Sequence, residues 1–80
     1  MKNQELNEAY ELINNVVKNK IRILIEEDLH LYEQDADILL HYSDEIIEKV
    51  MQRITKEQPY FEVVWNYSQK VLELRIQRKK

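Results

Sequence analysis

Residues 60 to 77 read YFEVVWNYSQKVLELRIQ, and the fold class turns on them. Phe61, Val63 and Trp65 alternate with polar or smaller neighbours, and Leu72, Leu74 and Ile76 alternate with Glu73, Arg75 and Gln77. A period of two places each set on one face of an extended strand. Two amphipathic strands with a turn between Asn66 and Lys70 therefore predict a β-hairpin over 60–77. No glycine is available for a tight turn, and Asn66 is the one residue there that readily adopts a left-handed conformation. The alternative is a third helix starting at Pro59, with Tyr60, Val64, Tyr67, Val71 and Leu74 on its inner side.

Immediately upstream, Glu57-Gln58-Pro59 is a stop, because the residue before proline is pushed out of helical geometry. It closes a stretch, DADILLHYSDEIIEKVMQRITK over 35–56, in which Leu39, Tyr42, Ile46, Ile47, Val50, Met51 and Ile54 recur at three- and four-residue spacings. That spacing predicts a helix over 35–56. Ser43 offers an internal start, with its hydroxyl as cap and Tyr42 against Ile47 as a hydrophobic staple. The apolar stripe keeps its phase across Ser43, which favours the longer helix capped by Asp35 or Asp37. Acids lie near its amino end and Lys49, Arg53 and Lys56 near its carboxyl end, as the helix dipole prefers.

Further upstream, Leu6, Tyr10, Ile13, Val17, Leu24 and Leu31 form a stripe that predicts a helix over 4–32. The β-branched run Lys20 to Ile25 admits a second reading, helix then strand, with Asn19 closing the helix in place of glycine. The polar pair Glu33-Gln34 is short, so the two helices are expected to form an antiparallel hairpin. Residues 78–80 are expected to fray.

A chain of 80 residues is one domain and buries only about 60% of its unfolded surface. With no cysteine, no glycine and one proline it has no disulfide to support that small core, and self-association as a homodimer is the expected source of further burial. No apolar run is long enough to span a bilayer and the first 20 residues are too polar for a signal peptide, so a cytoplasmic location without membrane contact is expected. Residues 1–48 carry four bases and twelve acids, whereas 49–80 carry eight bases and three acids. Such polarity suits packing between the halves or contact with an acidic partner.

Tyr42-Ser43-Asp44-Glu45-Ile46-Ile47-Glu48-Lys49-Val50-Met51, then Ile54-Thr55-Lys56, then Pro59-Tyr60-Phe61-Glu62-Val63-Val64 resembles the first half of a Tctex-type dynein light chain domain. The resemblance covers 42–64. It implies a dimeric adaptor, two helices beside a sheet, that binds partner peptides along a sheet edge. Members of that family continue through further strands that this chain does not supply.

Chemistry has little to work with. Ser43, Thr55 and Ser68 stand in no motif that provides a base and an orienting group. The absence of glycine excludes phosphate-cradling loops. Glu27 with His30, and Asp37 with His41, have helical spacings that would suit zinc or iron, but both pairs lie at the expected turn, where polar residues belong anyway. No metal, no cofactor and no catalysis are therefore expected. Arg75, Arg78, Lys79 and Lys80, with Lys70 beside Trp65 and Tyr67, suggest nucleic-acid binding as an alternative function, against which the net charge of −3 argues. Four of the seven aromatic rings fall within 60–67, and aromatic anchors dominate protein interfaces.

The sequence thus predicts an α+β fold, two antiparallel helices followed by a C-terminal β-hairpin, with an all-α three-helix bundle as the alternative. The expected function is non-catalytic protein interaction, as a small dimeric adaptor, regulator or inhibitor. Its expected surface toward itself or an unidentified protein is Phe61, Val63, Trp65, Tyr67, Leu72 and Leu74, with Arg75, Arg78, Lys79 and Lys80 as a basic contact.

Overall fold

The computed structural model describes residues 2–33 and 38–79. Along the chain come α1 (Lys2–Glu26), β1 (Leu31–Glu33), β2 (Ile38–Leu39), α2 (Asp44–Glu57), β3 (Phe61–Ser68) and β4 (Val71–Arg78). The class is α+β with a C-terminal hairpin. The third-helix alternative fails because residues 61–68 and 71–78 are extended and paired with each other, from Phe61 opposite Arg78 to Ser68 opposite Val71.

Of the predicted stripe, α1 buries Ile13, Val17 and Leu24 and half-buries Leu6 and Tyr10, and Ala9 joins the buried row. It runs through the β-branched segment 20–25 but ends at Glu26, six residues short of the expected boundary. The reason lies at Asp28, whose φ of 53° places it in the left-handed region. The amide of Leu29 donates to the Leu24 carbonyl and that of Asp28 to the Ile25 carbonyl, a Schellman closure without glycine. Asn19 stays inside the helix. Leu31 to Glu33 then pair with Gln77 to Arg75 of β4.

The expected helix over 35–56 is corrected at its start. Ile38 and Leu39 pair with Leu72 and Val71 of β4, Leu40 enters the core, and α2 begins only after Ser43. Ser43 has extended dihedrals and its Oγ accepts the Ile46 amide at 3.3 Å. Stripe phase does not detect this start, because side-chain periodicity is blind to a cap that keeps the same face inward. Gln58, extended ahead of Pro59, ends α2 as expected, and its amide donates to the Thr55 carbonyl. The expected two-residue turn at Glu33-Gln34 is corrected at Glu33, which pairs with Arg75 of β4, while Gln34 and the cap candidate Asp35 lie outside the described residues.

β4 is the central strand. Along one side it pairs with all of β3; along the other it pairs with β1 near its end and β2 near its start. The hairpin turn is Gln69-Lys70, with φ of 52° and 66°, and Asn66 lies within β3 rather than in the turn. Two consecutive left-handed residues are the geometry of a type I′ turn, which matches the right-handed twist of the strands.

One core joins both helices to one face of the sheet. Ile46, Ile47, Val50, Met51 and Ile54 of α2 meet the buried α1 row and Phe61, Val63, Leu72, Leu74 and Ile76 of the sheet. Tyr10 on α1 donates from its hydroxyl to Glu57 on α2, and the Arg53 guanidinium lies 3.8 Å from the Tyr10 ring centroid. At the opposite end of α2, the Tyr67 hydroxyl donates to the Tyr42 carbonyl at 2.8 Å, tying β3 to the residues before the cap. The C-terminal end is not frayed at Arg78, whose amide donates to the His30 carbonyl, nor at Lys79, whose amide donates to that of Tyr60. Lys80 lies outside the described residues.

Candidate functional site

Along the outer side of β3 the fold leaves a row of main-chain groups without a strand partner. A two-residue hairpin turn makes its flanking residues, Ser68 and Val71, a hydrogen-bonded pair, and such pairs then alternate along an antiparallel ladder. Ser68, Asn66, Val64 and Glu62 therefore direct their amides and carbonyls to β4. Phe61, Val63, Trp65 and Tyr67 direct theirs the other way. The Lys79 amide bonded to the Tyr60 carbonyl extends the same phase beyond the strand. Among the described residues no strand pairs with that outer side of β3.

β3 carries none of the usual defences of an exposed edge. It is eight residues long, contains no lysine or proline, keeps one register with β4 from end to end, and has Glu62 as its one charged side chain. Beside the edge, Trp65 and Tyr67 are only half-buried, and Val64 on the outer face is 44% exposed. Around Val64 the outer face is polar and internally paired, with Gln77 Nε2 donating to Glu62 at 2.7 Å and Asn66 Nδ2 to Glu73 at 3.2 Å, whereas at its far end the exposed Leu39 lies opposite Val71.

The expected interaction residues separate into two groups. Phe61, Val63, Leu72 and Leu74 are buried in the chain's own core, so the expectation that they form a surface is corrected. The cause is that the hairpin's alternating apolar face is the face that the helices cover. Trp65 and Tyr67 remain at the margin of that core. The basic group also divides. Arg75 is exposed across from Val64, and Lys79 is exposed at the strand end. Arg78 turns inward: its Nε donates to the Leu29 carbonyl at 3.0 Å and its Nη2 to the Leu24 carbonyl at 3.3 Å, with Phe61 5.7 Å from the guanidinium. It serves the C-terminus of α1, and the residues that remain do not make a continuous basic strip with the aromatic rings.

The histidines have no shared helix face. Glu27 and His30 lie in the link after α1, and His41 lies in the link before Ser43, whereas Asp37 falls outside the described residues. Among the described residues no three of His, Asp and Glu gather as metal ligands. Two of the three hydroxyls are engaged in local structure, Ser43 as the cap of α2 and Thr55 donating to the Met51 carbonyl at 2.7 Å. Ser68 is exposed beside the turn. Among the described residues no helix is long and apolar enough to cross a membrane.

The sequence reading raises a sheet edge as a binding surface, but no side chain names the strand or the outward groups that form it, because the backbone carries them. No family model, curated protein or solved structure matches the chain.

Proposed function

We propose that this protein is a non-catalytic protein-interaction module, an adaptor or regulator that works by accepting a polypeptide strand along the outer edge of β3. The observation that supports this is the outward set of four amides and carbonyls at Phe61, Val63, Trp65 and Tyr67, unpaired and undefended. Strand addition satisfies such groups by main-chain hydrogen bonds, and side chains beside the edge select the partner. Trp65 and Tyr67 are the selecting groups on the helix side, and Glu62, Val64 and Asn66 on the outer side. The Tctex-type resemblance over 42–64 implies the same mode, and the comparisons add nothing to it.

Amide hydrogen exchange tests the reading. The Val63, Trp65 and Tyr67 amides exchange quickly in dilute protein and slow at least ten-fold when the protein is concentrated or when an alternating threonine–valine octapeptide is added. Their neighbours Val64 and Asn66, already bonded to β4, stay slow throughout. Fast exchange at the three outward amides under both conditions overturns the proposal.

A further inference from the structure

The occupant of the edge is identifiable by its chemistry, and this step rests on the strand-accepting reading above. We infer that the strand accepted by β3 is β3 of a second copy of the chain, in one antiparallel register centred on Val64. The outward positions 61, 63, 65 and 67 are symmetric about residue 64. A two-fold axis through Val64, normal to the sheet, therefore sets Phe61 against the second copy's Tyr67 and Val63 against the second copy's Trp65. All four outward positions on each copy then exchange hydrogen bonds.

Charge and shape favour this register over its neighbours. Glu62 falls opposite the second copy's Asn66, so the one charged side chain of the strand meets no like charge. A shift that placed Glu62 opposite itself would set two carboxylates face to face and leave half of the outward groups unpaired. Val64, the exposed apolar residue that β3 puts on the outer face, lands on the axis against the second copy's Val64, a β-branched cross-strand pair. On the other side, the half-buried Trp65 and Tyr67 gain Val63 and Phe61 as neighbours. Because the axis is normal to the sheet, the helices of both copies lie on the same side, and the two four-stranded sheets join into one. A foreign strand would need to bring these complementary side chains itself; a second copy already has them.

The register is testable by cross-linking, since the chain has no cysteine of its own. Opposed residues in a non-hydrogen-bonded antiparallel pair have Cα atoms about 4.5 Å apart, within the range a disulfide spans. Asn66 and Ser68 stand on the order of 13 Å or more from their own counterparts in this register. Val64→Cys, Asn66→Cys and Ser68→Cys, all at exposed or outer-face positions, are oxidised as full chains in glutathione buffer, and wild type is sedimented across a concentration series. The expected result is a wild-type dimer and disulfide formation at least ten-fold faster for Val64→Cys than for the other two. Equal rates for the three variants together with a monomeric wild type overturn the second-copy inference. If the threonine–valine octapeptide still protects the outward amides in that case, the edge accepts strands and only the choice of partner is wrong; without protection, both readings fall.

Discussion

The guanidinium of Arg78 donates to the carbonyl oxygen of Leu24, fifty-four positions earlier, at 3.3 Å, and this bond closes the C-terminus of α1 with a side chain from the last strand. The Leu24 carbonyl already receives the Leu29 amide. A cation at this end also complements the helix dipole.

Arg78→Ala removes both carbonyl contacts and the cover over Phe61. Hydrogen bonds to a charged donor contribute about 1.5 kcal/mol or more. A loss of that size lowers the Tm of a domain this small by about 4–8 °C per kcal/mol. Lys79→Ala, exposed one residue on, is the control and stays within about 0.5 kcal/mol of wild type. Thermal melts that place the two variants together would refute the role given to Arg78.

Tyr67→Phe deletes the hydroxyl that donates to the Tyr42 carbonyl and lowers stability at neutral pH by about 1 kcal/mol. Burial, with the nearby Asp44 carboxylate, raises the Tyr67 phenol above its usual 10.0. The hydrogen bond to Glu57, followed by burial, raises Tyr10 as well. A phenol raised in the folded state contributes stability fully below its unfolded pKa, and the contribution is lost as pH rises through the folded value. Wild type therefore weakens in alkali above about pH 10, and Tyr67→Phe weakens with a shallower slope. Urea unfolding at a series of pH values measures both, and parallel slopes would disprove the assignment.

The turn at Gln69-Lys70 holds two non-glycine residues in the left-handed region, where each costs on the order of 1 kcal/mol. Changing the pair to Asn-Gly supplies the residues this turn type prefers. A gain of about 1 kcal/mol is expected. Chemical denaturation reads the gain; an unchanged midpoint means that the strands, not the turn, set the hairpin's stability.

Asn14 is buried on α1 with its side-chain carbonyl oxygen unpartnered. An acceptor left so in a core costs about 1–3 kcal/mol. Asn14→Leu, with the same number of heavy atoms but a larger volume, is expected to raise stability by about 1 kcal/mol. A destabilised Asn14→Leu would show that the site tolerates no larger apolar shape.

The hairpin was legible because six alternating positions, Phe61 to Trp65 and Leu72 to Ile76, read consistently at a period of two. The turn was not, because the residue that looked able to bend, Asn66, is held straight by pairing opposite Glu73. β1 and β2 were hidden for a different reason: two or three residues cannot display a period, and what makes them strands is a distant partner, β4. Leu39 and Tyr42 happen to continue the spacing of α2, so the cap at Ser43 looked like an interior residue. For the site, Trp65 and Tyr67 were found as aromatic residues at a margin, while Phe61, Val63, Leu72 and Leu74 were drawn into the prediction by the same apolar character that buries them. Backbone groups at an edge have no letter in the sequence.

β4 touches every other strand, and it is the last strand of the fold. While the chain is being synthesised, β1, β2 and β3 emerge in turn with nothing to pair with one another. Only the helices have local interactions to form early. The sheet can form only as β4 emerges, from Val71 onward, and until then the apolar faces of 38–40 and 61–67 stay open to chaperones and to neighbouring chains. Nascent-chain truncations ending before Val71 should hold helix but no sheet.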